Sequence, residues 1–304
     1  MGGQVKMTYH NPVMLQESID ALQLKEGGSY ADVTFGGGGH SREILRQMGK
    51  GKLIAFDQDE DAQEHIIDDP RFIFVPANFR YLTNYCRINK INKLDGILAD
   101  LGVSSHQFDE AGRGFSTRFD AELDMRMDQD QELKAAQVLN TYTAGALQEL
   151  FSRYGEITNA ASLAQKIVIG RLQEPIMQTQ QFKELIRPLV HRGKENQYYA
   201  QVFQALRIEV NKELEALEEL LLQSTEMLVP GGRLVVISYH SLEDRLIKNF
   251  FGKGKFKGEV EKDIFGNELK PFTSVFRKAQ MPGEAELAEN NRSRSAKLRA
   301  GEKR

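Results

Sequence analysis

Over the first hundred residues, short and nearly unbroken apolar runs alternate with segments of helical period. Residues 29–35 (SYADVTF), 52–56 (KLIAF), 72–75 and 96–99 (GILA) read as strands, and 41–48 reads as a helix between the first two. Strands that alternate with helices predict an α/β fold with a parallel, doubly wound sheet, whose ligands sit at the carboxyl ends of the strands. A fifth strand comes much later. Pro230-Gly231-Gly232 reads as a turn, and 233–239 (RLVVISY) is apolar enough for a central position.

About 130 residues separate the fourth and fifth strands, whereas a right-handed crossover needs only ~12 or more. Val210, Leu214, Leu217, Leu221 and Leu228 recur on one face and predict a single amphipathic helix. Upstream, several short helices are expected. Thr143 can cap one that starts at Ala144. Ser162-Leu163-Ala164-Gln165 fits a capping box for a second that Pro175 closes, and Thr179 can cap a third interrupted at Pro188. The expected organisation is a ligand-binding domain from residues 1–105 and 209–304, with a helical substrate domain, 106–208, inserted over the active edge of the sheet. Residues 252–270 and the tail after Met281 read as loop-like.

Composition refines this picture. The 304 residues are 40% apolar, and 40 basic against 43 acidic residues leave a net charge of −3. The balance is uneven: residues 245–304 hold 15 basic and 8 acidic side chains, the first 244 hold 25 and 35. A basic end on an acidic body suits a polyanionic partner. The lone cysteine, Cys86, excludes an internal disulfide and a cysteine-cluster metal site, and it suits a reducing compartment. No apolar run approaches the ~18–20 residues of a membrane span, and residues 1–10 lack a signal-peptide core. A cytoplasmic protein without a membrane is the expectation. The six histidines, at 10, 40, 65, 106, 191 and 240, show no ligand spacing, so no metal is expected.

The most informative stretch is Asp32-Val33-Thr34-Phe35-Gly36-Gly37-Gly38-Gly39-His40, a glycine loop between strand and helix. A dinucleotide site needs a further glycine near the next two positions, which hold Ser41 and Arg42. The Gly-Lys-Ser/Thr of a phosphate-cradling Walker loop is missing as well. Asp57, 19 residues after Gly38 at the end of the second strand, can accept both hydroxyls of a ribose, and Asp100 ends the fourth strand on the same edge. A nucleoside site without phosphate machinery fits S-adenosylmethionine.

Longer runs carry a family resemblance. His10-Asn11-Pro12-Val13-Met14-Leu15, the loop from Thr34 to Ser41, Phe56-Asp57-Gln58-Asp59 and the run Asp95 to Ser105 resemble the bacterial 16S rRNA cytosine-N4 methyltransferases of the RsmH (MraW) type. So do Arg113-Gly114-Phe115-Ser116, Leu123 to Asp128, Phe203 to Ile208, Ser238 to Arg245 and Asn290 to Ser295, in order along nearly the whole chain. The resemblance implies a class I S-adenosylmethionine-dependent methyltransferase, Rossmann-like, with an inserted helical domain. It implies methylation of N4 of a cytidine in the decoding region of small-subunit rRNA. The family's cofactor positions fall here on Gly38, Gly39, His40, Asp57, Phe79, Asp100 and Gln107. The stretch Glu195 to Gln201 departs from the family pattern, where many relatives have a His-Pro start and an arginine.

The exocyclic amine of cytosine is a poor nucleophile, because its lone pair is delocalised into the ring. It must be held in line with the sulfonium methyl, with an acceptor for its N–H as the lone pair localises. The chain has Asp100-Leu101-Gly102-Val103 where DNA amino-methyltransferases place an Asp/Asn-Pro-Pro-aromatic turn. Asp100 can therefore be cofactor ligand, amine acceptor or both. His240, just past the fifth strand, can contact the base or take up the released proton, or it can cap the next helix. Tyr198, Tyr199 and Phe203 are candidates for stacking a splayed base or for core packing.

Overall fold

The computed structural model describes residues 12–103, 108 and 110–304. Gln107 lies outside them. Seven strands form one sheet: β1 Ser29–Asp32, β2 Lys52–Asp57, β3 Phe72–Pro76, β4 Leu94–Asp100, β5 Leu228–Ser238, β6 Phe272–Ser274 and β7 Lys297–Lys303. Their order is β3-β2-β1-β4-β5-β7-β6. The first five run parallel, and β7 is antiparallel to both β5 and β6. Order reverses at β1, the switch point at which such sheets bind ligands. This is the class I methyltransferase sheet.

The helices in chain order are α1 Leu15–Leu22, α2 Gly39–Gln47, α3 Leu82–Ile88, α4 Ala135–Thr141, α5 Ala144–Gly155, α6 Ala160–Arg171, α7 Thr179–Ile186, α8 Glu195–Asn211, α9 Glu213–Met227, α10 Ser241–Lys253 and α11 Glu284–Glu289. The near-continuous apolar strands bury both faces. Leu234 and Val236 pack with Ile54, Phe56 and Ile97 against Leu82, Leu217, Leu221, Ile247 and Phe250. Val235 and Ile237, one residue out of phase, join Tyr30, Leu53 and Leu98 against Ile19, Leu22, Ile44 and Met48. Cys86 lies in the first of these cores, where burial pushes its thiol up to about 12, so it is an inert packing residue.

The chain divides into two compact units. One is Val103–Leu214; the other joins the chain up to Gly102 with Glu215–Arg304. The sequence had put these boundaries at 105/106 and 208/209. The expected single helix from Val210 to Leu228 is two elements and the start of a strand. Lys212 adopts a left-handed conformation (φ 51°) between α8 and α9, and Leu228 opens β5. Pro230-Gly231-Gly232 lies inside β5, where the pairing with β4 slips between Leu94 and Gly96.

Among the short helices, Thr143 caps α5 by accepting from the Ala146 amide at 3.2 Å. The other two caps fall elsewhere. Asn159 precedes α6, leaving Ser162 inside it, and α6 ends at Arg171, ahead of Pro175. Gln178, paired with Gln181, caps α7. Thr179 instead accepts from the Ala121 amide and donates to the Phe119 carbonyl.

The tail also departs from expectation. Residues 297–303 form a fully paired strand between β5 and β6, with Leu298 and Ala300 buried. Their polar composition hid a period-two alternation.

Candidate active site

Taken in sheet order, the carboxyl ends of the strands carry Phe79 just beyond β3, Asp57 on β2, the glycine loop beyond β1, Asp100 on β4, and Tyr239-His240 beyond β5. Predicted positions thus stand at the ends of five adjacent strands. Phe79 opens a short 3₁₀ turn and packs, half-buried, against the core. The turn is capped by Asn78, whose Oδ1 accepts from the Arg80 amide at 2.9 Å and whose Nδ2 donates to Gln58 Oε1 at 2.7 Å.

The loop geometry explains its glycines. Gly38 has φ 74°, and a Cβ there would meet the Phe35 ring at 2.8 Å. A Cβ at Gly39 would stand 2.1 Å from Pro12 Cγ, because the amino-terminal segment lies against the start of α2. At Gly36 and Gly37 a Cβ would meet nothing within 4 Å, so this stretch of backbone borders open space. Ser41 and Arg42, which break the dinucleotide fingerprint, hold the loop from inside. Ser41 Oγ donates to Asp32 Oδ2 at 2.6 Å, and Arg42 donates to the Gly37 carbonyl at 2.5 Å.

Asp57 accepts from the Gly36 amide at 2.7 Å through Oδ2 and from the Asp59 amide at 2.9 Å through Oδ1. A carboxylate has about four acceptor directions, so these bonds leave room for two hydroxyls. Burial pushes its pKa up to about 6, against the pull of the two amides.

Asp100 has two unlike oxygens. Oδ1 accepts from the Tyr239 hydroxyl at 2.7 Å; Oδ2 lies 4.0 Å from His40 Nδ1. Burial pushes the carboxyl up to about 7; the tyrosine bond opposes that, and Asp32, Glu243 and Glu286 add to it. His40 Nε2 lies 3.2 Å from the Val13 carbonyl, which assigns the proton to Nε2 and a lone pair to Nδ1. Burial lowers this ring to about 4, so it is neutral at physiological pH. Two acceptors, Asp100 Oδ2 and His40 Nδ1, therefore face each other.

Sequence reasoning passed over two residues of this site. Asp32, 1% exposed, is a third carboxylate on the edge; burial raises it to about 6, and it ties Thr34 and Ser41 together. Its place at the end of β1 was a readable signal. Tyr239 carried none, since its partner lies 139 residues away.

His240 forms the N-cap of α10. Its Nδ1 accepts weakly from the Glu243 amide at 3.4 Å, and its Nε2 stands 3.1 Å from Glu243 Oε1. Glu243, 2% exposed, returns the contact by accepting from the His240 amide at 3.3 Å, and it accepts from the Tyr239 amide at 2.9 Å as well. The capping alternative is realised, and both ring nitrogens face Glu243. Among the three aromatic candidates, Phe203 is buried against Phe182. The Tyr198 hydroxyl donates to Asn159, and the Tyr199 ring sits 5.5 Å from Lys183 Nζ.

S-adenosylmethionine fits these groups. The open loop backbone suits a ligand without phosphates, Asp57 suits its ribose, and a row of carboxylates suits its sulfonium charge.

A model of the MraW methylase family matches residues 7–304. The chain is 54% identical over 300 residues to the ribosomal RNA small subunit methyltransferase H of Christiangramia forsetii, covering 98% of this chain and 99% of that one. It is also 54% identical to the proteins of the same name from Cytophaga hutchinsonii, over 297 residues, and Bacteroides fragilis, over 298. No helix among the described residues is long and apolar enough to cross a membrane.

Proposed function

The chain belongs to the MraW methylase family, and from that premise we propose that it methylates N4 of a cytidine in the decoding region of 16S rRNA. S-adenosylmethionine supplies an electrophilic methyl group on a sulfonium. The observation that carries the amine as acceptor of that methyl is the unlike pair of Asp100 oxygens. Tyr239 fixes the carboxyl group through Oδ1, which leaves Oδ2 and the lone pair of His40 Nδ1 to accept N–H bonds from one amine.

Transfer of that methyl to the N4 lone pair would form the new C–N bond and leave the donor's sulfur as a neutral thioether. The amine becomes positively charged and must lose a proton. Asp100, with a pKa near 7, is poised to accept both the hydrogen bond and the proton. His240, engaged in its own helix cap, holds Glu243, which in turn accepts from the Tyr239 amide. Gly38, Gly39, His40, Asp57 and Phe79 line the cofactor side. Gln107, outside the described residues, is assigned there by resemblance alone.

The test is direct. Labelled S-adenosylmethionine is supplied with naked small-subunit rRNA or with assembled subunits, and the modified nucleotide is mapped by mass spectrometry. One N4-methylcytidine is expected. Label on ring carbon C5, or no label in either substrate, would overturn the reading.

A further inference from the structure

The crevice described above is ringed by acids. Asp32, Asp57, Asp100, Glu243 and Glu286 all act on it electrostatically, and such a wall repels phosphates. A polyanionic substrate must therefore gain its backbone contacts elsewhere.

One place is built for this. Where α10, β6 and β7 meet, the fold forms a cavity of about 320 Å³ that opens to solvent. Lys248, Asn249 and Lys253 of α10 line it, with Ser274 of β6, Arg277 just beyond that strand, and Arg299 of β7. Among the described residues, no carboxylate lines it. Among the described residues, Lys248 and Arg277 are exposed and form no ion pair, and Lys253 donates only to the Gly258 carbonyl, at 3.0 Å. Arg299 alone is matched, by Asp244, 2.7 Å from its Nε. Four cations converge on a concave surface with one countercharge between them. Phe251 and Phe272, buried beneath, hold α10 and the strands in this arrangement. The helix also sets the distance: from His240, at the crevice, to Lys248 is eight residues, about 12 Å along its axis.

We propose that this cavity is a phosphodiester-binding subsite, which anchors the rRNA backbone beside the methyl-transfer crevice. The proposal rests on the rRNA reading of the function. Its fourth cation comes from the chain's last strand, so the basic end of the sequence acts as a folded anchor.

The test uses the full-length protein, with naked small-subunit rRNA and assembled subunits as probes. Lys248→Ala/Arg277→Ala removes two exposed cations that the active site does not use. Lys50→Ala/Arg87→Ala removes two exposed cations elsewhere and serves as the charge control. Each lost phosphate contact should flatten the slope of log affinity against log salt by about 0.7–0.9. The cavity variant should therefore lose roughly 1.4–1.8 units of slope on naked rRNA and raise KM for rRNA several-fold. It should keep kcat and S-adenosylmethionine affinity within about twofold. The control should lose none. An unchanged slope, or a loss equal to that of the control, would overturn the proposal. So would a variant that keeps its slope on naked rRNA and loses only assembled subunits, which would transfer the surface to a ribosomal protein. Failure of the functional reading looks different, because the unaltered protein itself would then leave rRNA unmethylated.

Discussion

The hydroxyl of Tyr239 donates to Asp100 Oδ1 at 2.7 Å, and this bond sets how the carboxyl group at the centre of the crevice ionises. Removing it with Tyr239→Phe withdraws a hydrogen bond from the charged form of Asp100, which raises its pKa further above 7. A bond of this kind is worth roughly 1–1.5 kcal/mol, or about one pH unit. Single-turnover methyl transfer measured against pH should rise with a midpoint about one unit more alkaline than in the unaltered protein. Cofactor affinity at pH 8 should change little. An unmoved midpoint would detach Tyr239 from the chemistry.

Asp100→Asn separates catalysis from stability. The amide cannot take the amine proton, so methyl transfer should fall far more than S-adenosylmethionine affinity does. The fold should gain. The Asp100 pKa is about 7 in the folded chain and about 3.9 unfolded. Its stability contribution is therefore intact below pH ~4 and is lost as pH rises through 7. Asparagine is spared that loss. The stabilisation of the ligand-free variant should grow by roughly 2–3 kcal/mol between pH 5 and pH 8. Thermal unfolding at the two pH values checks it, and an equal gain at both would contradict a raised pKa. His40, held neutral in either protein, works the opposite way: its contribution is lost as pH falls from about 6.5 towards 4.

Asp57→Ala should cost more than ribose contacts alone. Besides its proposed role towards two hydroxyls, the carboxylate holds the amides of Gly36 and Asp59. Losing buried acceptors of this type costs roughly 1–3 kcal/mol, a 5- to 150-fold loss of cofactor affinity. Calorimetry with S-adenosylmethionine and with its demethylated product should show the same loss for both, since both carry the ribose. An unchanged affinity would remove Asp57 from the site.

The parallel half of the sheet and its cofactor edge were legible in the sequence, for a local reason. A buried parallel strand must be nearly all apolar, its ligand-binding turn needs glycines, and its carboxylate ends the run, so Asp57 and Asp100 announce themselves within a few residues. Features that depend on distant partners were not legible. Lys212 breaks a helix by taking a left-handed conformation that its residue type does not announce, and Tyr239 finds Asp100 only after folding. In residues 297–303 (KLRAGEK) the charged residues obscure an inward Leu298 and Ala300, which become a strand only because β5 and β6 leave a place between them. A strand flanked on both sides can carry such charges where its ends and one face reach solvent.

That strand divides the basic residues at the end of the chain: Arg294 precedes it, and Lys297 and Arg299 lie within it. Arg294 is exposed. Arg299 is not: it lies in β7 opposite Val236, its side chain is 17% exposed, and its Nε donates to Asp244 at 2.7 Å, while Lys297 stands 3.5 Å from the same carboxylate. The pairing, opposed by burial, holds Asp244 below its ordinary range, so Asp244 stays ionised at neutral pH. Arg299→Ala leaves this partly buried carboxylate with the longer Lys297 contact alone. That should destabilise the fold by roughly 1–3 kcal/mol. Arg294→Ala should leave stability within about 0.5 kcal/mol, as an exposed substitution does. On rRNA the Arg294 change should flatten the salt slope by at most ~1 unit. Thermal unfolding and salt-dependent rRNA binding, run on both variants, check the division. If Arg299→Ala unfolds at the temperature of the unaltered protein, its ion pair with Asp244 contributes nothing to holding β7 in the sheet.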